Sequence, residues 1–323
     1  MSANTSWSEI TTTTLKNRRR ALADNVLNHN ALLRFLNERG NVDLAGGGET
    51  LVEELEYAEN GTFKYYSGYE VLDISPQDVF SAAEYDWKQA AVVVTISGLE
   101  QRKNSGREQM IRLLSRRIAN AEKTMMNNLS TGVYSDGTGT SGKQIGGLQL
   151  LVADSPATGT VGGINRANFA FWRNVSYDAT TDGGAAASSS NIQSYMNAVW
   201  IQLVRGSDKP MIIVADNNYF TFFWESLQAI QRINDPVRGE SGFESLQYYG
   251  PGGSAQVFHD DAAPTDHMYF LNTDFIFWRP HSAANMEPLE QRESVNQDAI
   301  VRPLIFMGNM TMSNASLQGV LKD

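Results

Sequence analysis

Between Arg107 and Thr131 the chain reads REQMIRLLSRRIANAEKTMMNNLST, and no other stretch narrows so far what it can fold into. Met110, Leu114, Ile118, Ala121, Met125 and Leu129 recur at three- and four-residue steps, which puts them on one face of an α-helix. At the helical rise, about 25 residues give a rod ~37 Å long, more than a globular helix usually spans. Arg112, Arg116, Arg117, Asn120, Lys123 and Asn127 fall on the opposite face, with Gly106 before the stretch and Gly132 placed to end it. The spacing predicts an amphipathic beam over 107–131. Periodicity alone fits equally well an ordinary helix packed on a core.

Composition sets the surroundings of that beam. With 323 residues, 41% of them hydrophobic, the chain can bury one large core or two smaller ones. A formal net charge of −10 argues against a general nucleic-acid binder, which needs clustered Lys and Arg, but leaves room for a local basic patch. Cysteine is absent, so neither disulfides nor thiolates contribute, which suits a reducing cytoplasm without requiring one. No apolar run approaches the ~20 residues of a bilayer span, and the N-terminus lacks a signal-peptide core, so no membrane partner is expected.

Taken in order, the chain opens with TSWSEITTTT and a predicted helix from Leu15 to Arg39, with Leu22, Val26, Leu33 and Leu36 as an intermittent apolar face. Lys16, Arg18, Arg19 and Arg20 form a compact basic run, readable as a solvated face or as a contact for a polyanion or an acidic partner. Gly46-Gly47-Gly48 breaks the chain. Leu51, Glu53, Leu55 and Tyr57 then alternate before Asn60-Gly61, and Phe63, Tyr65 and Ser67 alternate after it, a pattern that predicts a β-hairpin turning at that dipeptide. Glu49, Glu53, Glu54, Glu56 and Glu59 load one arm with negative charge. A two-stranded hairpin is marginal alone, so a long one leaving through a glycine hinge is expected to rest on another surface, such as a neighbouring subunit.

Further on, the β-branched run Val92 to Ile96 predicts a buried strand ahead of the beam. Phe169, Phe171 and Trp172 form a dense aromatic cluster, and Thr180 to Ser190 is a Gly, Ala and Ser-rich boundary or surface loop. A helix over Ile192 to Val204, a strand over Pro210 to Ala215 and a helix over Asn217 to Arg232 describe a small α/β unit. Strand signals resume in AQVFHDD, MYFLNTDFIFWRPH and AIVRPLIFMGNMTMS.

Two places invite a chemical reading. Gly137 to Lys143 matches the spacing of a phosphate-binding P-loop, yet Gln144 stands where Ser or Thr would hold magnesium, and the loop leaves a helix instead of a strand. It reads as a flexible connection. His259, Asp260, Asp261, Asp266 and His267 have metal-ligand residue types, but their spacing equally ends a strand and enters a turn. No catalytic, cofactor or metal residue is assigned, and a nucleotide- or metal-dependent enzyme stands as the alternative class.

The order of parts resembles the major capsid proteins of tailed double-stranded-DNA bacteriophages, an α+β class known as the Hong Kong 97 fold. The resemblance rests on the basic arm, the acidic hairpin after its glycine hinge, the strand leading into the long helix, the α/β unit and the closing strands. Locally, GGLQLLVADSP through GGINRANFAFWRN, VFHDDAAPTDHMYFLNTDFIFWRPH and PLIFMGNMTMSNASLQGVL are similar to segments of that family. It implies an N-terminal arm over 1–45 and an extended E-loop hairpin over 46–78. A peripheral domain over 79–150 and 272–307 would carry a spine helix at 107–131, and an axial domain would take 151–271 and 308–323. It also implies self-assembly through hexamers and pentamers into an icosahedral shell around packaged DNA, assembled in the host cytoplasm, with no cofactor and no catalysis.

Within that frame, Glu53, Glu54, Glu56, Lys64, Glu287, Glu290, Arg292 and Glu293 are candidate intersubunit contacts, and Gly46, Gly47 and Gly48 the hinge. Arg18, Arg19, Arg20, Arg112, Arg116, Arg117 and Lys123 are candidates to face the double-stranded DNA without sequence preference. Some members crosslink an E-loop lysine to an asparagine, for which Lys64 with Asn285 or Asn296 would be the counterparts. Fewer than fifty residues precede the hairpin, which predicts a separate scaffolding protein or none, beside a portal and a possible decoration protein. An encapsulin-like nanocompartment shell is the alternative on the same fold.

Overall fold

The computed structural model describes residues 30–99, 107–230, 246–290, 292–293 and 297–323, with side chains for all of these except 107–115, 228–230 and 292–293. The basic run at 16–20 lies outside the described residues, as do Gly106 and Asn296.

One strand organises the larger half of the molecule. β14 (Ala299–Met312) is flanked on one side by β3 (Lys88–Ser97), antiparallel along its first ten residues, Ala299↔Ser97 through Gly308↔Lys88. On the other side it pairs in turn with β13 (Arg292–Glu293), β12 (Glu287–Pro288) and β11 (Ile276–Pro280). Leu304, Phe306, Met310 and Met312 face inward from it at alternate positions, and the Phe306 ring stacks on Trp278 of β11 at 5.5 Å. Helix α1 (Ala31–Glu38) packs beside β11, its N-terminus capped by Asn30, whose Oδ1 accepts from Leu32 N at 2.9 Å and Leu33 N at 3.1 Å. The chain from Val42 to Ala45 then runs parallel to β11, through bridges to Trp278 and His281.

The predicted beam is α2 (Arg107–Gly132), and it lies against β3. Ile118, Ala121, Met125 and Leu129 are buried as the periodicity requires; the side chains of Met110, Leu114 and Arg112 are outside the described residues. Gly132 closes the helix without adopting a left-handed conformation, and Val133 N still reaches Leu129 O at 3.0 Å. The glycine-rich segment that follows is a pinned return, not the loose connection expected. Asp136 accepts from Thr138 N at 2.9 Å, and Gly146 N donates to Asn309 Oδ1 of β14 at 3.0 Å. Gly147 sits so close to the helix end that a Cβ would meet Val133 O at 2.3 Å.

A second sheet has the order β6-β15-β10-β7-β9-β8, where β6 is Val175–Asp178, β7 Ile212–Ala215, β8 Leu246–Gly250, β9 Gly253–His259, β10 His267–Leu271 and β15 Gly319–Lys322. Alternation along β7 splits the interior. Ile213 and Ala215 face α3 (Ile192–Leu203) and α4 (Asn217–Ile230), while Ile212 and Val214 join the core built on β14. The short pair β4 (Thr160–Val161) and β5 (Ile164–Asn165), with Trp172, also packs into that larger core. β14 runs unbroken past 308 to Met312, and Leu151, Val152, Val161 and Trp172 pack their side chains into the core built on it.

The hairpin is the main correction. β1 (Leu51–Glu56) pairs with β2 (Phe80–Tyr85), Leu51↔Tyr85 through Glu56↔Phe80, so its return strand is 80–85 and not 63–67. Leu55, Ala83 and Tyr85 bury one face of this ribbon, and Glu53 points the same way. Arg279 Nε and Nη2 donate to Glu53 Oε1 and Oε2 at 2.9 and 3.1 Å, while Thr311 Oγ1 donates to Oε1 at 2.6 Å. Asp43 completes the cluster on Arg279. Removing one member of such a pair strands the other, which costs more than replacing both. Glu53→Ala is expected to destabilise the unassembled chain by roughly 2–4 kcal/mol in urea titrations, and the double change Glu53→Met with Arg279→Met by distinctly less.

Candidate functional site

Everything that distinguishes this surface lies where the ribbon ends. Tyr57 N donates to Val79 O at 3.1 Å and its hydroxyl to Asp78 O at 2.8 Å, closing the ribbon's neck, while its ring stacks on Phe171 at 5.3 Å. Between Tyr57 and Val79 the chain forms a long arm carrying no strand. Phe63, Tyr65, Tyr66, Tyr69, Val71 and Ile74 are exposed along it, Tyr65 at 91% and Ile74 at 93% of full accessibility. Isolated apolar residues on a surface need no explanation, but a run of this length in one segment marks an interaction surface.

The arm and the β1 strand that leads into it are together strongly acidic. Glu49, Glu54, Glu56, Glu59, Glu70, Asp73 and Asp78 are exposed, against Lys64 alone, whose ammonium donates to the arm's own Val71 O. Asn60 makes a local turn, its side chain accepting from Thr62 N at 3.0 Å. At the base, Glu54, Glu56, Tyr57, Glu59, Phe275 and Asn314 line a cleft of about 500 Å³, and a second of about 320 Å³, lined by Phe171, Arg173 and Arg205, shares Glu56, Tyr57, Ser313 and Asn314 with it. The glycine segment is fixed at both ends: Ala45 N donates to Pro280 O at 3.0 Å, and the Trp87 indole donates to Gly48 O at 3.0 Å. Gly47 and Gly48 hold φ of 124° and 125°, which side-chain-bearing residues rarely adopt.

Other predicted contact residues divide. Glu54 and Glu56 are at the surface, whereas Glu53 is committed to Arg279 inside the chain, because it shares the inward face of β1 with Leu51 and Leu55. Glu290 is exposed and lies near the buried Arg302; burial lowers that guanidinium's pKa and Glu290 opposes the fall. Glu287 pairs in β12, and the backbones of Arg292 and Glu293 pair in β13. Of the basic face of α2, Arg116 and Lys123 are exposed, but Arg117 is turned onto the strand beside it, donating to Thr95 O.

The residues with chemical potential are dispersed into structural tasks. Among the described residues no group of His, Cys, Asp or Glu could hold a metal ion. Asp260, buried, accepts from Tyr134 Oη at 2.7 Å and Asn30 Nδ2 at 2.9 Å, and burial raises its pKa. Asp266 accepts from Asn218 at 2.9 Å, and His259 rests against Phe220 at 5.8 Å. His267 Nε2 lies 3.2 Å from both Asp154 oxygens, tying the 152–155 segment to the second sheet. Lys143 stands on the pinned glycine-rich return, where Thr140 and Ser141 have left-handed φ and no strand leads in. No helix among the described residues is long and apolar enough to cross a membrane.

A family model described as the SU10 major capsid protein matches residues 89–302, well over half of the chain. The chain belongs to the SU10 major capsid protein family. Members of it are structural subunits of the virion capsid and not enzymes, and the fold is that of the Hong Kong 97-like phage capsids. The capsid asymmetric unit of cyanophage A-1(L) is similar at 13% identity, with 90% of this chain and 92% of that one covered and a TM-score of 0.62. The procapsid of satellite phage P4, solved with its size determination protein, matches at 11% identity, 96% and 90% coverage and a TM-score of 0.53. The SrpI encapsulin of Synechococcus elongatus PCC 7942 matches at 11% identity, 90% and 86% coverage and a TM-score of 0.52. No curated protein matches by sequence.

One titration follows from the geometry. Burial alone would pull His267 below its ordinary 6.5; the Asp154 carboxylate and the Thr265 carbonyl outweigh it and raise the pKa, with Lys322 opposing them. A raised histidine contributes stability that is complete below pH 6.5 and is lost as pH climbs through the folded-state pKa. Urea midpoints of the unassembled chain are expected to fall as pH rises above 6.5, and in His267→Gln that part of the slope disappears.

Proposed function

We propose that this subunit closes its shell by laying the arm between Tyr57 and Val79 over a neighbouring copy. The observation that supports this reading is the row of exposed aromatic and branched residues on a segment with no sheet partner of its own. Burying apolar surface returns about 25 cal/mol per Å², so several such side chains covered at each of many equivalent contacts hold a shell whose single contacts are weak. The ribbon's buried face and the Glu53–Arg279 pair give the arm a fixed root, and Gly46 to Gly48 form the place where its angle is set.

Hexamers and pentamers are the assembly units in this reading, with the β14 half as the peripheral domain, α2 as its spine and the second sheet with α3 and α4 as the axial domain. In the same reading Arg116 and Lys123, exposed on α2, meet packaged double-stranded DNA through its phosphates alone. A net charge of −10 suits a container whose contents must slide in without adhering. Assembly in the host cytoplasm, with a separate scaffolding protein, a portal and a decoration protein as partners, belongs to the same proposal.

The test is a variant of the arm that leaves the core alone. Tyr65→Ser, Val71→Ser and Ile74→Ser together remove exposed side chains, so the unfolding free energy of the isolated subunit is expected to stay within about 0.5 kcal/mol of the parent. Light scattering and electron microscopy are then expected to find shells for the parent and unassembled subunits for the variant. Shells forming equally well from both would end the reading.

A further inference from the structure

Asn60-Gly61 turns no hairpin, and both residues stand exposed on the arm just beyond its neck. It is the one Asn-Gly pair in the chain. The pair has a chemistry of its own. The backbone nitrogen that follows an asparagine can attack the side-chain carbonyl carbon and close a five-membered ring, and glycine, with no Cβ, leaves that nitrogen open to do so. Because the reaction is intramolecular, its rate follows from how closely the two atoms are held together.

The arm holds them well. Asn60 Oδ1 accepts from Thr62 N at 3.0 Å and from Thr62 Oγ1 at 2.7 Å. To reach a nitrogen two residues on, the side chain has to lie back along the Gly61 peptide, which carries Cγ toward Gly61 N. The two donors also draw electrons from the carbonyl and stabilise the negative charge its oxygen gains as the ring closes. The attacking and leaving groups are unencumbered, since among the described residues neither Gly61 N nor Asn60 Nδ2 makes a hydrogen bond. Elsewhere the same turn is protected. Asn30 and Asn272 accept from Leu32 N and Asp274 N, but both are buried, and Ala31 and Thr273 follow them.

We infer that Asn60 is a self-modifying site, converting to aspartate and isoaspartate in the unassembled subunit without an enzyme. Gly61 N gives its proton to solvent base and bonds to Asn60 Cγ; the bond from Cγ to Nδ2 breaks, and Nδ2 takes a proton and leaves as ammonia. The cyclic imide then adds one water. Opening between Cγ and Gly61 N gives aspartate, and opening between the Asn60 backbone carbonyl carbon and Gly61 N gives isoaspartate, with nothing oxidised or reduced. Either product puts a new carboxylate beside Glu59, on an arm that already holds Glu70, Asp73 and Asp78 against Lys64. Isoaspartate also routes the backbone through the side-chain carbon, which lengthens the chain by a methylene and dismantles the turn onto Thr62. The arm of a waiting subunit thus changes charge and shape with age. This chemistry does not depend on shell closure.

The test follows the full-length, unassembled protein through time at neutral and mildly alkaline pH. Peptide mapping by mass spectrometry, with isoaspartate read by enzymatic methylation, is expected to resolve the Asn60 peptide into the parent and two products, isoaspartate in excess, with conversion faster at the higher pH. Asn168, exposed but followed by Phe169, is expected to stay intact over the same period. Gly61→Ala is expected to slow conversion several-fold and leave the unfolding midpoint unchanged: Gly61 is not left-handed, and a Cβ there would meet only the flexible end of Gln77, at 3.3 Å. An Asn60 that stays intact would overturn the inference, as would aspartate without isoaspartate, equal conversion at Asn168, or no slowing in Gly61→Ala. None of these readings needs a shell, so their failure leaves the shell reading standing, and absence of shells leaves the conversion standing.

Discussion

A bidentate ion pair holds the two lives of this chain together. Glu53 comes from the ribbon that carries the arm, Arg279 from a strand of the β14 sheet, and Thr311 from β14 itself. The pair is largely removed from water, with 8% of the Glu53 side chain and 20% of the Arg279 side chain exposed, so its geometry has to be met fully or the cost of burying charge is not offset. That demand fixes the register of the ribbon against the core. An arm anchored by hydrophobic contact alone could slide, and the row of exposed side chains beyond Tyr57 would then face no defined direction.

Around that root, the two cores share a wall. The six-stranded sheet sends one set of side chains to α3 and α4 and the other to the β14 core, so the α/β unit cannot shift without disturbing the unit that bears the arm. Asp260 and Asn30 add a polar stitch at the same wall, joining α1, the end of α2 and the second sheet through buried hydrogen bonds. A shell subunit has to pass load between contacts on distant edges, and a continuous interior of this kind does so better than two domains on a linker.

Much of this was legible in the sequence, and the failures have physical causes. The periodicity of Ile118, Ala121, Met125 and Leu129 defined α2 because a helix buries side chains by local spacing alone. The hairpin misled because Asn60-Gly61 is a strong local turn signal, whereas the true partner of β1 lies at 80–85, chosen by the buried Ala83 and Tyr85 across from Glu53 and Leu51. Glu53 itself had the right signal: it shares parity with Leu51 and Leu55, which puts it on the inward face, and its charge obscured that. No local pattern could have supplied Arg279 as its partner, since the two are 226 positions apart. The two-residue strands β12 and β13 carry too few side chains for any alternation to show.

Closure of the shell, as proposed, covers an arm that is bare in the isolated subunit. Amide hydrogen exchange across residues 57–79, compared between isolated subunits and assembled particles, measures that directly. Fast exchange in the subunit and strong protection in the particle is the predicted result. Equally fast exchange in both, with protection of β14 unchanged as the internal control, would contradict it.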